Sequence, residues 1–297
     1  MNFLVIGHSV VDKIIEKEHC SIKPGGIFYT VISLLSQIES GDKIFLCSNV
    51  DEKNSVLFKH VYDWVEREFL NTVNSIPNVE LVLSENGERK ETYSEIAENL
   101  ILPEKDFDRF EGILINMITG YDISLLQLKE IRKSYDGIIY FDVHTLSRGV
   151  DKELNRDFRQ IKNFDEWAKC IDILQANESE LKTLSSKREE ITIVEELFSY
   201  GINQIVITRS DKGATVFYKD LNSIKYVFKE ILHLKAVNKV GCGDVFGAVY
   251  FYNCIKHKKI HLALEQANLY AGISTTYSEA KDFINLKIDA HERISQK

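Results

Sequence analysis

A short glycine-flanked segment in the last quarter of the chain has the residue types that phosphate binding requires. Gly241-Cys242-Gly243-Asp244 lies within residues 238–252, NKVGCGDVFGAVYFY, and opens an apolar run with helical character. Glycines let the backbone approach a ligand closely, and the free N–H groups of a first helical turn form an anion site. A carboxylate there could accept a proton from an attacking hydroxyl. An aspartate at a helix start can also be only an N-cap, worth about 1 kcal/mol, so both interpretations stay open at this point.

The elements that would position this segment alternate between strand and helix. Short apolar runs predict strands at residues 3–6, 43–47, 113–115, 137–141, 171–174 and 204–208. Amphipathic spacing predicts helices at residues 28–38, 56–73, 124–133, 179–184 and 189–200. This order implies an α/β fold with a mostly parallel sheet and helices on both faces.

Two segments interrupt that order and look like extended ribbons. They are residues 14–22, IIEKEHCSI, and residues 79–94, VELVLSENGERKETYS. The second contains Asn86-Gly87 between strand-forming residues, which predicts a hairpin turn. Both ribbons could pack together as a small sheet that projects from the main one. The chain has no low-complexity linker and no internal repeat, so we expect a single domain over residues 1–297.

Composition excludes several classes of function. The chain has 297 residues and a net charge of −8, and an acidic surface disfavours nucleic acid as a partner. Its five cysteines form no C-x-x-C pair, so they indicate neither a disulfide framework nor a zinc site. The N-terminus has no basic region before its apolar stretch, and no apolar run approaches 18 residues. We therefore expect a cytoplasmic protein with no membrane contact.

The glycine-flanked segment resembles the C-terminal signature, DTxGAGD, of the ribokinase-like carbohydrate kinases, the PfkB family. Cys242 stands for the alanine, while Asn238 and Lys239 replace the first two signature residues. Other landmarks of that family follow in order. They are GHSVVD at residues 7–12, Pro24-Gly25-Gly26, the N-x-x-E pattern of Asn177 and Glu180, VITRSDKGA at residues 206–214, and QANLYAGI at residues 266–273.

The resemblance implies a Rossmann-like, ribokinase-like fold with a small β-sheet lid, formed here by residues of about 12–25 and 79–98. It implies a kinase that transfers the γ-phosphoryl group of ATP, with Mg²⁺, to a hydroxyl of a small polyol. The acceptor would be a sugar, a cyclitol such as inositol, or a nucleoside. Lid sheets of this family often pair between subunits, so the resemblance also implies a possible homodimer through the lid.

The resemblance further implies a role for each matching residue. Asp244 would be the general base, and Gly241, Cys242 and Gly243 would form the anion hole. Asp12, Gly25 and Gly26 would bind the acceptor, and Glu180 would organise Mg²⁺ through water. The nucleotide would contact Asn177, Thr208, Ser210, Gly213 and Asn268.

Some residues depart from the family pattern and keep other functions open. Thr30 stands where a sugar-contacting asparagine is common, and the bulk of Phe28 and Tyr29 suggests a reshaped pocket. Lys239 could add a positive contact for phosphate. The Asn238-Lys239 pair motivates a second hypothesis, a metabolite-sensing protein with a kinase fold and no turnover. A dinucleotide-dependent oxidoreductase is a third, but the first predicted strand is not followed by G-x-G-x-x-G.

Overall fold

A computed structural model describes residues 1–16, 19–83, 89–221, 223–232 and 234–295. Its main sheet has the strand order β15-β14-β13-β12-β9-β8-β1-β4-β5, and a smaller sheet has the order β3-β2-β6-β7. The strands are β1 (Asn2–Ile6), β2 (Ser9–Glu16), β3 (His19–Gly26), β4 (Lys43–Asp51), β5 (Leu70–Val73), β6 (Asn78–Leu83), β7 (Arg89–Tyr93), β8 (Gly112–Asn116), β9 (Ile138–Asp142), β10 (Arg148–Val150), β11 (Arg156–Phe158), β12 (Ile173–Asn177), β13 (Gln204–Thr208), β14 (Ala214–Asp220) and β15 (Ser223–Lys229).

The central strands are apolar on both faces because helices cover both faces. In β1, Phe3 and Val5 belong to one hydrophobic cluster, whereas Leu4 and Ile6 belong to the other. A strand buried on both sides reads as a continuous apolar run, and β1 pairs in parallel with both β4 and β8. The predicted fold class, a mostly parallel sheet flanked by helices, is confirmed. The sheet becomes antiparallel at β14 and β15.

The helices divide between the two clusters. The first cluster contains residues of α1, α2, α7, α8 and α9, and the second contains residues of α3, α4, α5 and α6. Their bounds are α1 (Ile27–Gln37), α2 (Ser55–Tyr62), α3 (Leu125–Ser134), α4 (Phe164–Ala168), α5 (Glu178–Leu181), α6 (Glu190–Ser199), α7 (Cys242–His257), α8 (Ile260–Ser274) and α9 (Leu286–Ser295). Within the described ranges, no helix has both the length and the apolar character that crossing a bilayer would need.

The smaller sheet is built from the two ribbon segments. Strand β2 pairs with β3 antiparallel and with β6 in parallel, and β6 pairs with β7. The chain returns from this sheet to α1 at Gly26, whose φ is 63°. A Cβ on Gly26 would lie 2.4 Å from the carbonyl oxygen of His8, so this junction requires glycine. The predicted turn at Asn86-Gly87 lies outside the described residues.

The prediction of one helix over residues 56–73 is wrong beyond Tyr62. Helix α2 ends there, and β5 (Leu70–Val73) instead pairs in parallel with β4, with Leu70 opposite Ser48. Trp64, two residues beyond this end, is 75% exposed. Tertiary pairing with the sheet edge overrides the helical spacing. The strand predicted at residues 171–174 is also shifted, since β12 spans Ile173–Asn177.

Candidate active site

Helix α7 begins at a backbone turn that only glycine fits easily. Gly241 is the N-cap residue, with φ 78° and ψ −5° in the left-handed region. A Cβ there would lie 2.5 Å from the ring of Tyr29. The helix therefore starts against an aromatic ring and holds Asp244 in its first turn. The remaining 13 residues of α7, Val245 to His257, are mostly buried and anchor this turn in the first hydrophobic cluster.

A cavity of about 210 Å³ lies at the carboxyl ends of the central strands. Ligands of open α/β sheets bind at this edge. The lining includes Asp12 and Glu91 from the smaller sheet, and Gly241, Gly243 and Asp244 from the start of α7. The predicted site residues that the cavity brings together are Asp12, Gly26, Asn177, Glu180, Thr208, Gly241, Gly243 and Asp244.

Three carboxylates, Asp142, Glu180 and Asp244, share this cavity. Burial, followed by repulsion from Glu180 and Asp244, raises the pKa of Asp142 well above its ordinary value. Burial also raises the pKa of Glu180, although His144 opposes that shift. The amide of Gln175 donates to Asp142 Oδ2 at 2.8 Å. The site therefore favours the protonated form of Asp142.

Asp244 is held by a buried amide from the main sheet. Asn116, the last residue of β8, donates its Nδ2 to Asp244 Oδ1 at 2.6 Å. The same nitrogen donates to Thr30 Oγ1 at 3.2 Å. The carboxylate of Asp244 is thus tied to both the sheet and α1.

Asn177 and Glu180 form a reciprocal cap at the start of the short helix α5. The Asn177 side chain accepts from the N–H groups of Ser179 and Glu180, both at 2.9 Å. Glu180 Oε2 accepts from the N–H of Asn177 at 2.8 Å. This capping box places both side chains on the cavity wall. Glu180 is therefore a capping residue and a cavity residue at once.

A second pocket of about 160 Å³ adjoins the first and is mostly apolar. Thr208, Lys239 and Gly243 line both spaces. The predicted residues Ser210, Gly213, Cys242 and Asn268 line only the second. Its apolar wall consists of Ile231, Leu232, Leu234, Ala236, Phe246 and Ala271. A flat apolar group could enter this pocket while a charged group attached to it reached the first cavity past Lys239.

On its opposite side, the cavity contains an ionic cluster between the smaller sheet and the β10–β11 hairpin. Glu91 of β7 accepts from Arg156 at 2.6 Å and from Arg148 at 3.4 Å. Asp12 faces the same space and leaves no room for a side chain at Gly25, where a Cβ would lie 2.4 Å from the Asp12 carboxyl carbon. Gly25 thus supports Asp12 and is not itself among the residues lining the cavity.

The residues that depart from the family pattern occupy different places. Tyr29 lines the cavity, whereas Phe28 is buried in the core against Phe58. Thr30 is buried and accepts the Asn116 amide. Asn238 accepts from the N–H of Val240 at 2.9 Å.

Several residues that line the cavity, and one that supports it, Asn116, were missed from the sequence. Asp142 had a usable signal, because it ends a predicted strand at the sheet edge where ligands bind. The others had none, because nothing in their local sequence marks them. They are Glu91, Asn116, His144, Arg148, Arg156 and Gln175.

Comparison with known proteins gives a family match over part of the chain and a fold over nearly all of it. Residues 148–286 match the family described as pfkB family carbohydrate kinase. That segment contains α7 with Gly241 and Asp244. No curated protein matches the sequence.

Solved structures resemble the chain over nearly its whole length. A ribokinase from Thermotoga maritima is 16% identical, with 99% of each chain covered and a TM-score of 0.74. A putative ribokinase II from E. coli, in complex with ATP and Mg²⁺, is 16% identical, with 100% of this chain and 99% of that chain covered and a TM-score of 0.75. A pyrophosphate-dependent kinase in the ribokinase family, complexed with a pyrophosphate analog and myo-inositol, is 16% identical, with 95% and 98% covered and a TM-score of 0.74. The chain therefore has the ribokinase fold.

Proposed function

We propose that the chain is a carbohydrate kinase of the PfkB type, a phosphotransferase that acts on an alcohol group, and that it phosphorylates a small neutral polyol with ATP. The match of residues 148–286 to the PfkB family and the ribokinase fold support this proposal. The observation that carries the proposal is the position of Asp244. It lies in the first turn of a glycine-capped helix and shares one cavity with Asp12 and Gly26. A phosphoryl donor at the helix start and a hydroxyl held near Asp12 would meet beside this carboxylate.

In the proposed reaction Asp244 acts as the general base. The acceptor oxygen attacks the γ-phosphorus of ATP, and a new P–O bond forms. The bond from the γ-phosphorus to the β,γ-bridging oxygen breaks, and its electron pair leaves with ADP. Asp244 takes the proton of the acceptor hydroxyl. The N–H groups of Gly241, Cys242 and Gly243 stabilise the charge on the transferring group, which is usually the larger contribution to the rate.

The adjoining apolar pocket supports a nucleotide as the donor. Its wall of aliphatic and aromatic side chains suits a purine ring. Inorganic pyrophosphate has no apolar group that would occupy this pocket. Thr208, Ser210, Gly213 and Asn268 line the polar part of this pocket, and Asn177 lies on the phosphate side. Lys239, at the junction of the two spaces, is well placed to contact the phosphate chain.

The acidic side chains near α5 fit a magnesium ion. Carboxylate oxygens are the hard ligands that Mg²⁺ prefers, and this ion usually keeps several waters and binds substrate phosphates. Within the described part of the chain, no group of three His, Cys, Asp or Glu residues forms a metal site. Glu180 would hold it through water, with Asp142 nearby, and the ion would neutralise charge on the phosphates.

The charges around the acceptor space favour a neutral molecule with several hydroxyls. Glu91 balances one of the two arginines and Asp12 adds a second acid, so this side of the cavity has as many carboxylates as guanidinium groups. Such a surface offers both donors and acceptors to hydroxyls but no excess positive charge for an anion. A sugar, a nucleoside or a cyclitol such as inositol would suit it. A protein of the same fold was solved with myo-inositol.

We also propose that the smaller sheet is a lid over the acceptor, formed by residues of about 12–25 and 79–98. Val10, Asp12, Val79 and Glu91 reach the cavity from this sheet. A homodimer through the lid would join two such sheets, and sizing by light scattering tests it.

The test is a turnover assay with a base variant. Purified protein receives ATP and Mg²⁺ with a panel of polyols, sugars and nucleosides, and pyrophosphate replaces ATP in a parallel series. We expect ADP and a phosphorylated product with at least one neutral polyol, and a fall of about 10²–10⁴-fold in kcat for Asp244→Asn. An unchanged rate in D244N would contradict the role of Asp244. Thermal stabilisation by ligands without any product would instead indicate the sensor.

A further inference from the structure

We propose that Asn116 is a positioning residue that orients Asp244 toward the acceptor hydroxyl and keeps it ready to accept a proton. This inference rests on the proposed function, because it concerns the same carboxylate. Asn116 does not line the cavity and would not touch either substrate. It would act only through Asp244.

The contact is short, buried and unambiguous in its direction. Asn116 is 1% exposed, and its Nδ2 lies 2.6 Å from Asp244 Oδ1. If the amide were reversed, its oxygen would face a carboxylate, and two acceptors cannot form a hydrogen bond. The N–H therefore points at Asp244. A second bond, to Thr30 Oγ1, fixes the plane of the amide.

Stability alone does not explain an asparagine at this place. Its other amide atom, Oδ1, is buried and has no hydrogen-bond partner among the described residues. A buried unsatisfied acceptor costs stability, and in natural proteins such an exception calls for a specific reason. An aliphatic residue would close β8 with no such cost. The asparagine is explained if its N–H is needed at Asp244.

The charges around Asp244 show why it would need that N–H. Asp142 and Glu180 face the same space, and repulsion from Asp244 contributes to the raised pKa of both. A donated hydrogen bond favours the ionised form of the group that accepts it. Because Asn116 donates to Asp244, it favours the ionised form of that carboxyl over those of its neighbours. The other charged or titratable groups lining the cavity are Asp12, Glu91, His144, Arg148, Arg156 and Lys239.

The first test compares Asn116→Ala with a matched variant, Asn253→Ala. Asn253 is also a buried asparagine that donates two side-chain hydrogen bonds, but it binds Gln37 and the Val249 carbonyl in the core. We expect N116A to lower kcat about 10²-fold, the size of effect that a 1 Å misplacement can have, with KM for both substrates within about twofold. The acid limb of its kcat/KM profile should move to higher pH. N253A should keep the kcat and pH profile of the wild type.

Two results would overturn the positioning role. One is an N116A enzyme with unchanged kcat and pH profile. The other is an equal fall in N253A, which would indicate general loosening. A double-mutant cycle of unfolding midpoints with Asn116→Ala and Asp244→Ala tests the contact without any assay of activity. We expect non-additive shifts, and additive shifts would also overturn the inference. A wild type without turnover would refute the proposed kinase function. The double-mutant cycle would still show whether Asn116 and Asp244 are coupled, because it needs no activity.

Discussion

At the scale of single residues, buried carboxyl groups of this protein have pKa values shifted in opposite directions. Asp142 is buried next to Glu180 and Asp244, and this raises its pKa well above the ordinary range. Asp122 shows the opposite case outside the cavity. Burial alone would raise its pKa, but His8 and backbone N–H groups outweigh burial and lower it. The contributions of the two aspartates to stability should therefore change in opposite directions as pH rises.

For Asp142 we predict that wild-type protein loses stability relative to Asp142→Asn as pH rises. Above the unfolded pKa of about 4, the native state retains a proton that the unfolded state has released. Stability then falls with a slope of up to about 1.4 kcal/mol per pH unit until the folded pKa is reached. Unfolding midpoints of both proteins from pH 4 upward measure this difference. A constant difference over that interval would contradict a raised pKa.

For Asp122 we predict the reverse. Its carboxylate accepts from the N–H groups of His8 and Thr119 and from the His8 ring. Because its folded pKa is lowered, the stabilisation is present above the unfolded pKa of about 4 and is lost as pH falls through the folded value. Asp122→Asn should therefore be clearly less stable than wild type at pH 7, with a gap that narrows on acidification. A gap that widened at low pH would contradict this assignment.

At the scale of elements, the start of α7 requires glycine at one position and tolerates a side chain at another. Gly241 has φ 78°, and a Cβ there would lie 2.5 Å from the Tyr29 ring. At Gly243 a Cβ would meet no atom within 4 Å among the described residues. We predict that Gly241→Ala costs about 1–2 kcal/mol for the left-handed conformation alone and also weakens nucleotide binding, because the helix start must shift.

Gly243→Ala is the matched substitution in the same turn. We expect its unfolding midpoint in urea to stay near that of the wild type. Any loss of ATP affinity in G243A would come from its methyl group projecting toward the phosphates. Equal destabilisation of the two variants, measured by urea unfolding and by titration calorimetry with ATP, would refute the assigned strain at Gly241.

The elements also show what the sequence could and could not predict. The helix start at Gly241 was predicted because glycine and an acid before an apolar run form a local signal. The helix predicted over residues 56–73 does not extend beyond Tyr62 for a physical reason. Leu70–Val73 forms a strand because it pairs with Ser48–Asp51, which is distant in the sequence. The same limit applies to the cavity. Asn116 and Asp244 are 128 residues apart and Glu91 and Arg156 are 65 apart, and no local pattern reports such pairs.

At the scale of the whole molecule, hydrogen bonds attach the smaller sheet to the β10–β11 hairpin. Thr92 Oγ1 donates to Asn155 Oδ1 at 3.0 Å, and the N–H of Tyr93 donates to the Leu154 carbonyl at 3.1 Å. The Arg156 guanidinium lies 3.8 Å from the centre of the Tyr93 ring. The hairpin therefore holds β7 beside the cavity, and Glu91 is the carboxylate that pairs with Arg148 and Arg156 at this junction.

We predict that Glu91→Ala destabilises the protein by about 3–5 kcal/mol and raises KM for the acceptor. The side chains of Glu91 and Arg156 are only 7% and 5% exposed, and removing one partner of a buried ion pair is costly because the other charge stays in a poorly solvated place. Arg148 would lose the same carboxylate. Without Glu91, the two arginine charges are opposed only by Asp12 among the described residues on this side of the cavity. The excess positive charge should make the acceptor space bind anions better than neutral polyols. Urea unfolding and acceptor kinetics measure the two effects.

Glu80→Ala is the control on the same sheet. Glu80 pairs with Lys13, but both side chains are more than 40% exposed, and solvent screens such a pair. We expect E80A to change neither the unfolding midpoint nor the acceptor KM appreciably. If E91A were no more destabilising than E80A, the cluster would be an incidental surface contact. A destabilised E91A with an unchanged KM would assign Glu91 to the attachment of the smaller sheet alone, because an acceptor that touched the cluster would bind differently once the charge of the cluster had changed.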